Sequence, residues 1–495
     1  MAIDEFINNG IIGMVKHKKQ KTNISLQKIS PQVRLSLILY LGALLMGLSF
    51  VFSNRGWFIF ISVLPLFVYV ENLKKLSLKR ILIDFFVMGV IVMGSSFLYM
   101  FQAASQNWDT VVSGWFVLGS RFIAWFIATI VCATPFIGLA WVLYKIKNDS
   151  TRLWATLLLW PIFEIIRAFV FSVISYGKGG AIGIDTNFGS LAVSASDTPL
   201  VYISRIFSFW GMSVAVLAFG LGVYYLFKKR FLIGGLLIFS VVVVSVLTYN
   251  LPSKNNVSQH KVVVVHLNEN DAMSIWENFD SIPENTDLLV LPEYSEATKD
   301  EVIQKIANKL SVNGVAITTV TEGKLLNKHN KLVYFNKEGQ IVSKQDKSRL
   351  IPMGEYLPWV INQAFKLFKQ KTLIDTFMYV QMVNKGQAPI RPFNYGGKVF
   401  GALPCSGVTA VGDYYNIKRQ GADVLINSAS LSFLSPNSTY HVYGKNMARY
   451  QAVSNNLPYI QSSRSGDSYI IDVNGNTIAQ NPSEQTRVIT NEVIY

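Results

Sequence analysis

Cysteine is scarce in this sequence. Two stand in 495 residues, Cys132 inside an apolar stretch and Cys405 in the run Gly-Ala-Leu-Pro-Cys-Ser-Gly. A pair so placed cannot form a disulfide framework, so Cys405 is read as a free thiol. A thiol with a pKa of about 8.5 is mostly protonated at neutral pH and needs a base or a nearby cation to act as a nucleophile. Two upstream segments offer both. Leu-Leu-Val-Leu-Pro-Glu-Tyr ends a predicted strand at Glu293, and Asp-Lys-Ser-Arg-Leu-Ile-Pro-Met-Gly-Glu-Tyr-Leu-Pro carries Lys347 and Glu355. Taken singly, each has a bland reading: a core cysteine, a solvated strand end, a surface lysine. Together, a thiol, a carboxylate and an ammonium brought from separate strands make an acyl-transfer site. The five histidines, His17, His260, His266, His329 and His441, lack ligand spacing, so no metal is expected. No cofactor is expected either. His441 is read as a helix-start residue near the pocket rather than as a catalytic partner of the cysteine.

The elements that must position these groups divide the chain in two. Overall 51% of residues are hydrophobic and 15% charged, with a mean hydropathy of +0.32, too apolar for a soluble protein of this length. The apolar excess lies in the first half. Residues 1–32 read as a cytoplasmic basic tail, too polar for a cleavable signal peptide. Residues 33–250 read as a transmembrane domain of about seven helices, at 35–53, 57–71, 81–101, 119–144, 153–174, 206–227 and 231–249, the second being the shortest. Residues 258–495 read as an extracytoplasmic domain, with the boundary near Pro252 to Gln259.

Net charge is +15, yet no basic stripe with interleaved aromatics appears, so nucleic acid is not an expected partner. The basic residues cluster instead in alternate short loops. Lys16, Lys18, Lys19, Lys21 and Lys28 precede the first span; Lys74, Lys75, Lys79 and Arg80 follow the second; Lys145, Lys147 and Arg152 follow the fourth; Lys228, Lys229 and Arg230 follow the sixth. The positive-inside rule makes that side cytoplasmic and places the second half outside. Glu164 and Arg167, three apart in the fifth span, are expected to face inward as a mutual pair, either bracing helices or forming a polar patch for a lipid head group. Arg121, Asp84 and Asp109 are expected to snorkel at span ends.

In the second half, β-branched runs predict buried strands at Lys261–Leu267 and Asp287–Leu291. Further strands are predicted at 314–320, 331–335, 340–344, 399–403, 423–427, 459–462 and 469–473, with helices at 299–310 and 440–455. The pattern is α/β. Asn-Lys-Glu-Gly-Gln and Asp-Val-Asn-Gly-Asn mark hairpin turns. Residues 357–392 mix aromatics with lysines, as an amphipathic arm would, either dipping into the membrane interface or covering its own domain.

The ordered set of Pro-Glu, Lys followed by Leu-Ile-Pro-Met-Gly-Glu-Tyr-Leu-Pro, Cys at a strand end, Gly-Ala-Asp-Val-Leu-Ile-Asn, Asn-Met-Ala-Arg and Asp-Val-Asn-Gly resembles the nitrilase superfamily. Joined to a multispan half with Trp160-Pro-Ile-Phe-Glu-Ile-Ile-Arg167, and with Phe188-Gly through Trp210-Gly, it is similar to the apolipoprotein N-acyltransferase family over nearly the whole chain. The resemblance implies an α-β-β-α sandwich beside the membrane domain, on the outer, periplasmic face of a bacterial cytoplasmic membrane. It also implies transfer of an acyl chain from a phospholipid, through a cysteine thioester, to the N-terminal amine of a diacylglyceryl-cysteine lipoprotein. Cys405 would be the nucleophile, Glu293 the base, Lys347 the stabiliser of thiolate and oxyanion, and Glu355 its orienting partner. The chain is expected to act as a monomer. Arg464 stands where the family has small polar residues and is a candidate substrate contact. Two features depart from the family: Cys405-Ser406-Gly407 replaces Cys-Tyr-Glu, and the sequence ends at Tyr495 without an eighth span. A membrane-tethered amidase and an inactive scaffold on the same fold are the competing readings.

Overall fold

The computed structural model describes residues 30–52, 54–103, 114–252, 258–267, 279–295, 300–387, 389–435, 438–481 and 487–495. The basic tail up to residue 29, with its five lysines, and Asp109 lie outside the described residues.

Among the described residues, seven long helices make up the first half: α1 (Pro31–Val51), α2 (Phe58–Glu71), α3 (Leu78–Ser96), α4 (Gly114–Lys145), α5 (Asp149–Ile174), then, after a short α6 (Leu191–Ala195), α7 (Ser204–Phe227) and α8 (Phe231–Tyr249). Among the described residues, five helical segments, Pro31–Val51, Val117–Lys145, Asp149–Ile174, Pro199–Phe227 and Phe231–Tyr249, are long and apolar enough to cross a membrane. α2 has 14 residues and falls short of the roughly 20 that span a bilayer core. α3 carries Lys79, Arg80 and Asp84 in its first two turns. Sequence sets the starts locally. Ser30, Ser77 and Asn148 cap α1, α3 and α5, each side chain accepting from the backbone N–H three residues on.

Asp84 does not snorkel. Its carboxylate is fully buried and accepts from Ser36 Oγ at 2.5 Å, Tyr40 OH at 2.6 Å, Tyr69 OH at 2.7 Å and Arg80 Nε at 3.1 Å. Four donors from three helices offset a desolvation cost that an exposed position would have avoided. Nor do Glu164 and Arg167 form the direct pair expected of them. Both are 2% exposed, but Glu164 accepts from Trp160 Nε1, Ser190 Oγ, Leu191 N and Ser213 Oγ at 2.7–3.0 Å, while Arg167 Nη1 donates to Gly189 O at 2.9 Å. The segment 188–191 folds in and supplies Gly189, Ser190 and Leu191, while Trp160 comes from α5 itself and Ser213 from α7. Glu164→Leu would strand four donors at about 1–3 kcal/mol each before relaxation. We expect a clear drop in unfolding temperature in detergent for that variant and a smaller one for Glu164→Gln; a Leu variant as stable as wild type would contradict this account.

The second half contains two six-stranded sheets, with strands β1 (Gln259–His266), β2 (Thr286–Val290), β3 (Leu310–Glu322), β4 (His329–Phe335), β5 (Ile341–Asp346), β6 (Phe393–Tyr395), β7 (Lys398–Pro404), β8 (Val424–Ser430), β9 (Tyr459–Arg464), β10 (Ser468–Ile471), β11 (Thr477–Asn481) and β12 (Arg487–Ile494). Their orders are β12-β1-β2-β3-β4-β5 and β11-β10-β9-β8-β7-β6. The central pairs β1/β2, β2/β3, β7/β8 and β8/β9 are parallel, the outer ones antiparallel. The run Val262–Val265 is buried on both faces because residues alternate between two cores. Val262 and Val264 meet Phe400, Ala402, Val424 and Ile426 between the sheets, whereas Val263 and Val265 pack with Val302, Ile303 and Ile306 of α9 (Asp300–Lys309). The outer face of the second sheet is covered by α12 (Asp413–Arg419) and α13 (Thr439–Asn455), and the apolar cluster there is continuous with that of the membrane helices. One helical layer of the sandwich therefore doubles as its seat on the first half.

Residues 357–392 contain two short amphipathic helices that form an apolar cluster of their own. α10 (Trp359–Leu367) and α11 (Lys371–Val380) turn Phe365, Leu373, Phe377 and Met382 into a core of their own and leave Trp359, Leu367, Phe368 and Tyr379 exposed. The hairpin is anchored at the C-terminal end of α5: Trp359 N donates to Tyr176 O at 2.7 Å, Trp359 Nε1 to Val173 O at 2.8 Å and Tyr356 OH to Ser175 O at 2.7 Å. Gly177 permits this approach, since a Cβ there would sit 2.5 Å from Leu357 O.

Candidate active site

Each chemically competent side chain stands where a strand ends. Glu293 follows β2, Lys347 follows β5, and Cys405 follows β7. Glu293 is tied across the two sheets by its N–H to Ala429 O at 3.2 Å, and Lys347 N donates to Asn330 O at 2.7 Å. Cys405 opens a short 3-10 segment (Cys405–Thr409) with φ at 39°, a left-handed backbone that costs an L-residue about 1–2 kcal/mol. Surrounding contacts hold that strain. Asn427 Nδ2 donates to Leu403 O at 2.9 Å and Cys405 O at 3.1 Å, and Ser406 Oγ donates to Arg349 O at 2.8 Å.

Glu293, Lys347, Glu355 and Cys405 are all buried, at 1–5% exposure. The Lys347 ammonium donates to Glu355 Oε1 at 2.8 Å and lies 3.5 Å from Glu293 Oε1. Asn330 Nδ2 bridges the same oxygens at 2.6 Å and 3.4 Å, and Ile351 N donates to Glu355 Oε2 at 2.9 Å. Asn330 was not singled out in the sequence; it sits in β4 with nothing in its neighbours to mark it, and only the β3–β4 pairing brings it over the carboxylates.

The electrostatics follow from burial. Desolvation pushes the Glu293 carboxyl up to about 7; the Lys347 charge opposes the rise, Glu355 adds to it, and hydrogen bonds from Lys347 and the Cys405 thiol hold it down. Burial pushes the Cys405 thiol up to about 12, against the pull of Lys347. For Lys347 burial disfavours the charge, but Glu293 and Glu355 outweigh it and keep the ammonium protonated. The resting site therefore holds a neutral thiol, a cation, and a carboxyl that loses its proton near neutrality.

Cys405 opens onto a small cavity lined among others by Tyr440, His441, Gln461 and Tyr469. His441 is indeed at the helix start, its Nε2 3.1 Å from Ser435 O. Glu164, Arg167 and Arg464 do not line this cavity. Arg464 Nη1 instead donates to Tyr294 O at 3.4 Å.

The first half reaches directly over the site. Gln102 accepts from Thr439 N at 2.8 Å, and Ser435 N donates to Gln102 O at 2.8 Å. Phe188 stacks on Tyr443 with centroids 4.4 Å apart, and Tyr99 meets Tyr440 edge-on at 5.4 Å. Arg349 pairs with Asp185 at 2.8 Å and Asp413 at 3.1 Å. All these contacts come from the same end of the helix bundle. At the other end lie the basic loops, drawn together by Lys74 Nζ on Tyr144 O and Arg152 Nη1 on Val70 O.

Comparison with known proteins agrees with this division. Residues 42–222 match the family model described as the apolipoprotein N-acyltransferase N-terminal domain, and residues 274–494 match the carbon-nitrogen hydrolase model. The chain is 24% identical to the apolipoprotein N-acyltransferases of Rickettsia prowazekii, over 438 residues, and Rickettsia typhi, over 433 residues; each match covers 77% of this chain and 83% of the relative. Among solved structures, a carbon-nitrogen hydrolase from Helicobacter pylori G27 is similar at 17% identity and a TM-score of 0.36, over 48% of this chain and 89% of that one. Both family models match in order along one chain and, with the two Rickettsia relatives, support placing the protein with the apolipoprotein N-acyltransferases of the nitrilase superfamily.

Proposed function

We propose that this protein is a membrane acyltransferase that N-acylates apolipoproteins in two half-reactions at Cys405. The observation that carries the mechanism is the Lys347 ammonium held between Glu293 and Glu355 beside a buried thiol, on the side of the sandwich seated against the membrane helices.

In the first half-reaction a phospholipid ester carbonyl enters the cavity. The thiol proton passes to Glu293 as sulfur adds to the carbonyl carbon, and the developing oxyanion is met by Lys347 and the backbone N–H after Cys405. A thiol pushed up to about 12 does not ionise beforehand, so proton transfer and attack are coupled. The lysophospholipid alkoxide leaves with the proton from Glu293, and a thioester remains. In the second, the lipoprotein amine gives its proton to Glu293 and displaces the sulfur. Glu355 keeps the ammonium of Lys347 aimed. The catalytic half works on the outer face of the cytoplasmic membrane, as the basic loops at the opposite end of the bundle support, and the chain acts as a monomer.

The test is intact-mass measurement of the purified protein with a phospholipid donor, before and after a diacylated lipopeptide is added. An acyl adduct that disappears as triacylated product forms supports the reading. Free fatty acid without triacylated product would assign an amidase instead, and no adduct in folded protein would leave a scaffold.

Glu293 as base also fixes a pH dependence. A base that titrates at about 7 must be deprotonated, so the rate of acyl-enzyme formation should fall as pH drops below about 7. Glu355 raises the Glu293 pKa, and neutralising it lowers that pKa. In Glu355→Gln the acidic limb should therefore move to lower pH, whatever the residual rate. A limb that stays in place would separate it from Glu293.

A further inference from the structure

The cavity at Cys405 has polar groups on its wall that acyl transfer has not used: Lys445 on α13, Gln461 on β9, and Asp467 on the turn into β10. Asp467 is the acidic residue among those that line it. Half-buried, its carboxylate accepts from Gln480 Nε2 at 3.1 Å and enters no ion pair among the described residues. Gln480 Oε1 in turn accepts from Lys445 Nζ at 2.7 Å. The amide stands between a cation and a carboxylate that would otherwise cancel. The turn itself is fixed, because Gln461 Nε2 donates to Asp467 O at 3.0 Å and Ser468 Oγ accepts from Ser463 N at 2.9 Å. A held carboxylate with unspent charge thus shares one small cavity with the nucleophile.

We propose that Asp467 receives the ammonium of the amine acceptor and is the residue that selects a cationic acceptor in the second half-reaction; this rests on the two-step reading above. An α-amino group with a pKa of about 7.7–8.0 arrives largely protonated at neutral pH. The carboxylate draws that cation into the cavity once the thioester has formed. One ammonium proton is lost to water as the nitrogen reaches the thioester, and the neutral amine then attacks the carbonyl carbon and gives a second proton to Glu293. A C–N bond forms, the C–S bond breaks, and sulfur leaves as thiolate beside Lys347 to take the proton back from Glu293. Asp467 accepts no proton in this sequence and is a specificity residue. A phospholipid donor, whose phosphate is anionic, gains nothing from it.

The test compares wild type, Asp467→Asn and Asp467→Glu as purified full chains. Each is acylated from phospholipid in mixed micelles, then offered either a diacylated lipopeptide with a free N-terminal amine or hydroxylamine, a small nucleophile that is neutral at the pH used. We expect Asp467→Asn to form acyl-enzyme at the wild-type rate, which also shows that it is folded. The lipopeptide concentration for half-maximal transfer should rise roughly tenfold, with hydroxylamine release unchanged and Asp467→Glu recovering most of the loss. Equal losses with both nucleophiles, or no rise for the lipopeptide, would overturn the assignment of Asp467 alone. Failure of the wild type to form any acyl-enzyme would overturn the two-step reading, and this assignment with it.

Discussion

Cys405→Ala is expected to abolish acyl-enzyme formation and to reduce transfer to the lipopeptide by on the order of 10⁵–10⁶-fold, the scale seen when the nucleophile of a covalent mechanism is removed. The physical reason is that neither half-reaction has an alternative acceptor of the acyl group. Among the described residues the other cysteine, Cys132, is buried among the membrane helices, away from the cavity. The variant should fold, because alanine at φ 39° carries the same backbone strain that cysteine already carries. Intact mass after incubation with phospholipid reads the result directly. An acyl adduct on folded Cys405→Ala would remove the sulfur from its role and with it the proposed mechanism.

Lys347→Met should show the second large effect, and on two properties at once. Catalysis loses the cation that meets the oxyanion, a loss of at least about 10²–10³-fold by comparison with the removal of one oxyanion donor. Stability falls as well, because Glu293 and Glu355 are then left facing each other in the interior without the charge between them. Breaking a buried pair in this way costs about 3–5 kcal/mol. The pH dependence has a definite sign. Without the ammonium the folded-state Glu293 carboxyl rises further above its unfolded value, so the stability deficit grows as pH increases from about 4 and is fully developed above the raised folded value. Thermal unfolding in detergent from acid to mild base would display it. The double variant Lys347→Met/Glu355→Gln should regain much of the stability while remaining inactive. Transfer within tenfold of wild type in Lys347→Met would exclude the lysine from the chemistry.

The regular elements were largely legible because their signals are local. The valine run at 262–265 predicts a strand buried on both faces, and it lies between two cores. The Asn-Lys-Glu-Gly-Gln and Asp-Val-Asn-Gly-Asn turns predict hairpins, and they join β4 to β5 and β10 to β11. Three of the four edge strands were not legible, the exception being β5, predicted at 340–344. β6, β11 and β12 lie at edges, and their exposed faces carry mixed polar residues such as Gln480, Arg487 and Asn491. α12 was missed as well, a seven-residue helix being too short to show a period.

Buried charges in the membrane half were misread for a different reason. From sequence, Glu164 and Arg167 are an i, i+3 pair and Asp84 is a residue near a helix end. Their actual partners are Ser190, Leu191, Ser213 and Gly189 for the first two, and Ser36, Tyr40 and Tyr69 for the third. Those groups lie from 15 to 49 residues away from the charge they satisfy, beyond the reach of any local pattern.

The sequence by itself determined the reactive types, their order along the chain, the apolar spans and the side on which basic loops collect, because each depends on composition or on spacing within a few residues. Only the tertiary structure decided that Asn330 bridges two carboxylates, that the Cys405 cavity is roofed by Tyr440 and His441, and that α13 is at once a layer of the sandwich and its seat on the membrane helices. Those outcomes depend on which strand ends meet, and strand ends are brought together by sheet pairing across tens to hundreds of residues, where sequence distance carries no record of distance in space.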